Sequence, residues 1–133
     1  MTGSHLAACG LACAVAAAGA AAQTRDSYPN RPVRFIVAQT PGGSADFVGR
    51  IIADALGKHL GQQFVVDNRP GASGIIASEI AVSAPPDGHT LVLVTTSFGV
   101  NPALYKKLPY DSINDLAPIT HISYAPMILV VSP

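Results

Sequence analysis

The apolar positions of this chain fall into short strand-like runs, separated by helical patterns and glycine-rich turns. Val33 to Ala38 is almost continuously apolar, the pattern of a strand buried on both faces. From Asp46 to Leu60, the residues Val48, Ile51, Ile52, Ala55, Leu56 and Leu60 recur at helical spacing, and Gly61 stands where a C-terminal glycine ends a helix. Phe64 to Val66 reads as a second short strand. Ser73 to Ala84 predicts a second helix with Ile76, Ile80 and Ala84 on one face, broken by Pro85-Pro86-Asp87-Gly88. Leu91 to Val94 is a third strand, ending at Thr95-Thr96-Ser97. Beyond it the pattern predicts a short helix over Asn101 to Lys107, with Pro102 at its start, where proline is tolerated. A single turn around Ser112 to Asp115 follows, then two more strand-like runs, Ile119 to Ser123 and Met127 to Val131.

Strand and helix in alternation, joined by right-handed crossovers, give an α/β fold with an open, mostly parallel sheet covered by helices. In such sheets ligands collect outside the carboxyl ends of the strands. Three segments lie at that end. The first is Thr40-Pro41-Gly42-Gly43-Ser44-Ala45-Asp46, the second Asn68-Arg69-Pro70-Gly71-Ala72-Ser73-Gly74, and the third Thr95-Thr96-Ser97. A helix start leaves about four backbone N–H groups unpaired and carries roughly half a positive charge. Glycine lets such backbone close around an anion, and a carboxylate is its natural guest.

In the first loop, Gly43, Ser44 and Ala45 are the expected N–H donors, with the Ser44 hydroxyl as a further contact. Asp46 repels an anion; it is expected to cap the helix, hold a bridging water or bind an ammonium group. The plainer reading is an ordinary strand-to-helix turn capped by Ser44 or Asp46. In the second loop Ala72, Ser73 and Gly74 are preferred over Arg69, whose guanidinium precedes the turn and can pair with Asp67.

Composition narrows the classes. The chain has 133 residues, eight basic and eight acidic, so no basic patch points to nucleic acid. Both cysteines, Cys9 and Cys13, fall in an alanine-dominated run from Leu6 to Ala22. That run ends in Ala20-Ala21-Ala22-Gln23, a small-x-small cleavage pattern, so residues 1–22 read as a removable export signal. Met1-Thr2-Gly3-Ser4-His5 lacks the basic residues of an n-region, so the leader is expected to be clipped at its N-terminus. A lipid anchor at Cys9 is disfavoured, because no apolar stretch precedes it.

Enzyme motifs fail on inspection. Gly42-Gly43-Ser44-Ala45-Asp46 lacks the last glycine of a nucleophile elbow, and Gly71-Ala72-Ser73-Gly74-Ile75 misplaces it. Neither loop holds the lysine of a P-loop or the spacing of a dinucleotide fingerprint. His59, His89 and His121 show no metal-ligand spacing, so no metal or cofactor is expected.

Several spaced motifs in order resemble one family. They are Tyr28-Pro29-x-Arg31-Pro32-Val33-Arg34, Pro41-Gly42-Gly43-x-x-Asp46, Arg50-x-x-Ala53-x-x-Leu56 and Gly61-Gln62. They continue in Asn68 to Gly74, Pro86-Asp87-Gly88-His89-Thr90, Asn101-Pro102-x-Leu104-Tyr105, Leu108-Pro109-Tyr110-Asp111 and Val130-Val131-x-Pro133. Together they resemble the Bug family, the periplasmic solute receptors of tripartite tricarboxylate transporters. His89 departs from the family's usual tyrosine.

The resemblance implies a type II periplasmic-binding-protein-like fold, with residues 23–133 forming the N-terminal part of lobe 1 and the second lobe absent. It implies capture of a small carboxylate (a di- or tricarboxylate, an amino acid or an aromatic acid) by a monomer that serves membrane permease subunits and does no bond chemistry. The implied ligand-binding positions are Gly42, Gly43, Ser44, Ala45 and Asp46, then Ala72, Ser73 and Gly74, then Thr95, Thr96 and Ser97. Backbone amides and bridging waters of the first two loops would hold one carboxylate. The rival readings are an exported α/β hydrolase with Ser44 or Ser73 as nucleophile, and a nonfunctional fragment.

Overall fold

Three parallel strands form the sheet, in the order β2-β1-β3. They are β1 (Val33–Val37), β2 (Phe64–Asn68) and β3 (Thr90–Leu93), joined by α1 (Ser44–Leu60) and α2 (Ile75–Val82), with α3 (Thr96–Leu104) following β3. The computed structural model describes residues 28–124 and 128–131. The leader expected over residues 1–22 lies outside the described residues.

The register sets the strand ends level. Val37 lies beside Asn68 of β2 on one side and beside Leu93 of β3 on the other, so all three strands deliver their loops at the same edge. The central strand is almost wholly buried, as its unbroken apolar run predicts. Val33, Phe35 and Phe64 pack with Ala53, Ile52 and Leu56 of α1 in the main core. Ile36, one residue out of that alternation, is fully buried from the other face. Since β2 and β3 flank β1, successive right-handed crossovers carry α1 and α2 to opposite faces.

The buried stripe of α1 differs from the expected one. Asp46, Gly49 and Ala53 are its buried residues, while Ile51 is 55 % exposed and Leu60 43 % exposed. Small side chains win the inner face because the helix runs close to the sheet. A Cβ on Gly49 would sit 3.0 Å from Val37 Cγ2. Likewise α2 buries Ala77 and Ser78, and Ile76 stays largely exposed. Counting bulky apolar residues misses a helix seated on its smallest ones.

Four further boundaries shift. The second helix starts at Ile75 after a separate turn over Ala72–Gly74, and it ends at Val82. The third starts at Thr96, immediately after an extended Thr95, and ends at Leu104. Pro102 is therefore inside α3 near its end, where its missing N–H leaves one turn of the ladder open and the helix soon stops. The single turn around Ser112 to Asp115 forms as expected, with the Asp111 carboxylate accepting the Ile113 and Asn114 N–H groups.

The last two strand-like runs are not strands. Ile119 to Ser123 and residues 128–131 are irregular and exposed, and Met127 lies outside the described residues. Apolar β-branched residues favour a strand only where a neighbouring edge accepts their backbone, and no described strand pairs with them. No described helix is long and apolar enough to cross a membrane.

Candidate functional site

The loop after β1 is held by charge. Gly42 adopts φ 82°, and its N–H donates to Asp46 Oδ2 at 2.9 Å. The same oxygen accepts from Arg50 Nε at 3.0 Å, and Asp46 Oδ1 accepts from Asn68 Nδ2 at 2.9 Å. Asn68 Nδ2 also reaches the Gln39 carbonyl at 3.1 Å, and Arg50 Nη2 donates to Asn68 Oδ1 at 3.3 Å. One buried carboxylate thus ties the first loop, the first turn of α1 and the end of β2 together. The Arg50 hydrogen bond, then those from Gly42 and Asn68, lower the Asp46 pKa from 3.8 to about 2. With both oxygens accepting from protein groups, Asp46 acts as a clamp within the protein.

Capping of α1 also differs from the plain expectation. Gly43 is the N-cap, and neither Ser44 nor Asp46 caps through its side chain. Instead Gln39 Oε1 accepts the Ala45 N–H at 2.8 Å, from the far side of the loop. Gly43 N–H turns back to the Thr40 carbonyl at 3.2 Å. The Ser44 amide has no acceptor among the described residues.

The loop after β2 is held by shape. Gly71, Ala72, Ser73 and Gly74 have φ values of 120°, 45°, 52° and 83°, four successive residues on the left-handed side. For Ala72 and Ser73 that conformation costs roughly 1–2 kcal/mol each. Gly74 N–H closes the turn onto the Gly71 carbonyl at 2.9 Å. Ser78 Oγ donates to the Gly74 carbonyl at 3.0 Å, and Asn101 Nδ2 of α3 donates to the Ser73 carbonyl at 3.1 Å. The Ala72 and Ser73 amides have no acceptor among the described residues. Arg69 Nε pairs with Asp67 Oδ1 at 2.9 Å, along the strand it follows.

The third segment starts α3. Thr95 Oγ1 and Ser97 Oγ share a hydrogen bond of 2.9 Å, and Phe98 N–H caps onto the Thr95 carbonyl at 3.0 Å. The Thr96 and Ser97 amides have no acceptor among the described residues. At Gly74 the elements meet: a Cβ there would lie 3.4 Å from Ala38 Cβ at the end of β1 and 3.9 Å from Ser97 Oγ. The second and third segments are thereby brought side by side against the end of β1. The first joins them through Asn68 and Gln39.

In the sequence Gln39 has no assigned role, and Arg50, Asn68 and Asn101 stand only as loop or motif positions. Gln39 carried a usable signal, a polar side chain directly after an apolar strand. Asn101 carried another, an amide followed by proline, but its contact is with a residue 28 positions earlier.

Among the described residues, His59 and His89 both stand away from the strand ends that carry Ser44 and Ser73. Ser44 opens α1 and His59 lies in its last turn, about 22 Å along a helix rising ~1.5 Å per residue. His89 precedes β3, at the opposite end of the sheet, where it contacts Asp87 and Tyr28. His121 is in the exposed irregular segment.

The profile of the tripartite tricarboxylate transporter family receptor matches residues 48–133. The chain is 39% identical over 122 residues to the protein BugT of Bordetella pertussis, covering 90% of this chain and 37% of that one. It is similar to the periplasmic binding protein BugD, with a TM-score of 0.64 and 36% identity, covering 66% of this chain and 29% of BugD. Rhodopseudomonas palustris MatC, solved with bound malate, gives a TM-score of 0.62 at 37% identity, over 66% of this chain and 30% of MatC. The chain spans little more than a third of the length of the curated relatives it matches.

Proposed function

This chain belongs to the tripartite tricarboxylate transporter receptor family, and we propose that it contributes one wall of a receptor that captures a small carboxylate. The observation that carries this reading is the set of amides without an acceptor among the described residues at three level strand ends: Ser44, Ala72 and Ser73, and the start of α3. Left-handed turns and helix starts present N–H groups to anions at low reorganisation cost. Thr95, Thr96 and Ser97 add hydroxyl groups that can donate to a second oxygen. Gly42, Gly43, Ala45, Asp46 and Gly74 shape and fasten the cradle, since their N–H groups or carboxylate oxygens are engaged within the protein wherever a partner is identified.

Dicarboxylates lead among di- and tricarboxylates, amino acids and aromatic acids, because MatC was solved with malate. The Asp46 clamp argues against an amino acid held through its ammonium group at that position. The receptor acts in the periplasm after removal of residues 1–22, as a monomer, and hands its ligand to permease subunits without bond chemistry. The separation of Ser44 from His59 and His89 speaks against the hydrolase reading.

The test is a thermal shift of the full-length gene product with malate, citrate, glutamate and benzoate. At a hundred times Kd a true ligand stabilises the folded state by about 2.7 kcal/mol, which moves Tm by several degrees. No shift with any carboxylate, together with turnover of an ester substrate that Ser44→Ala abolishes, would replace the receptor with the hydrolase.

A further inference from the structure

We propose that Asn101 is the positioning residue of the second loop, holding the left-handed turn that displays the Ala72 and Ser73 amides. The inference rests on the receptor reading above for its functional consequence, and on geometry alone for its structural one. Asn101 lies on α3, fully buried, with a relative exposure of 0%. Its Nδ2 donates to the Ser73 carbonyl at 3.1 Å across 28 residues of sequence. Its Oδ1 is buried and has no partner among the described residues.

A primary amide buried with one end unpaired is a poor choice for packing, since an apolar side chain at the same place would leave no orphaned acceptor. The arrangement makes sense where the other end is needed. Ser73 is the second of two non-glycine residues held at positive φ, and such backbone persists only when its surroundings over-determine it. Inside the turn, the Gly74 to Gly71 hydrogen bond closes the loop and Ser78 holds the Gly74 carbonyl. Asn101 fastens the Ser73 carbonyl from a different element, and so fixes the peptide plane between Ser73 and Gly74. It also joins the second segment of the cradle to the third, since Thr96 and Ser97 open the helix that carries it.

The test compares wild type with Asn101→Leu in the full-length receptor, reading three quantities. These are the apo Tm, the affinity for malate by calorimetry, and the amide signals and hydrogen exchange of Ala72 and Ser73 in the apo protein. The expected result is malate affinity lowered about ten-fold, apo Tm within a few degrees of wild type, and shifted, faster-exchanging Ala72 and Ser73 amides. Ala72→Gly, which removes one strained Cβ, should return part of that affinity when added to Asn101→Leu. Should leucine disturb α3, Asn101→Ala provides the same loss of the donor without added bulk. Unchanged affinity, or lost affinity with unchanged loop amides, overturns the proposal. Absence of carboxylate binding by wild type defeats the receptor reading instead, and the loop amides still decide whether Asn101 holds the turn.

Discussion

The loops after β1 and β2 look alike in sequence, each a proline and glycines leading from a strand into a helix, yet they are held in opposite ways. The first is a polar assembly: Asp46, Arg50, Asn68 and Gln39 converge on it, and only Gly42 in it needs a left-handed φ. The second has four left-handed residues in succession and is fastened through its carbonyls. One loop gains its shape from charge, the other from strain opposed by a few hydrogen bonds. The same glycine motif therefore says little about which substitutions a loop will tolerate.

The largest expected effect is on the charged loop. Asp46→Leu removes the acceptor of the Gly42 N–H and one partner each of the Asn68 amide and the Arg50 guanidinium, and chemical denaturation should show the greatest loss of stability of any substitution considered. The pH dependence sharpens the point. The Asp46 pKa is below its ordinary value when folded, so its contribution is complete above pH 3.8 and is lost as pH falls from 3.8 toward about 2. An acid titration of wild type against Asp46→Asn should show this extra destabilisation in wild type alone. Equal acid profiles would mean the clamp does not form in solution.

Next comes the strained loop. Gly74→Ala places a Cβ at φ 83°, at roughly 1–2 kcal/mol, in ordinary contact with Ala38 and Ser97, so its cost is one of backbone strain. It should lower both stability and ligand affinity, whereas Gly43→Ala should be milder. Gly43 has φ −75°, and its Cβ would press on the flexible Gln39 side chain, 2.6 Å from Oε1. Displacing Gln39 frees the Ala45 amide, and a fold stability within about 1 kcal/mol of wild type is expected from loss of one neutral hydrogen bond. If Gly43→Ala proved worse than Gly74→Ala by denaturant midpoint, the contrast between the loops would collapse. The smallest effect belongs to Asp54→Ala, which breaks an exposed pair with Lys58 on α1 and should cost under about 0.5 kcal/mol.

Much of this fold was legible in the chain. The apolar run Val33–Val37 marked the buried central strand, Gly61 marked the end of α1, and the glycine loops marked the carboxyl edge of the sheet. These signals are local, because they depend on period, on proline and glycine, and on strand-helix order. The buried stripe of α1 was not legible, since Gly49 and Ala53 are chosen by how near the helix lies to Val37 and Phe35. Nor were the endings at Ile119 to Ser123, where strand propensity had no edge to act on.

By itself the sequence determined the α/β order, the two glycine loops and the family, through motifs whose spacing local geometry demands. Tertiary structure alone decided which amides are spoken for: Gln39 on Ala45, Asp46 on Gly42, and Asn101 on the Ser73 carbonyl. The first two join residues of a single loop, whereas the Asn101 contact spans 28 residues and depends on the level register of three parallel strands, which brings the second loop and α3 to one edge. A hydrogen bond is decided by distances of tenths of an ångström, and packing sets those distances where residue order does not.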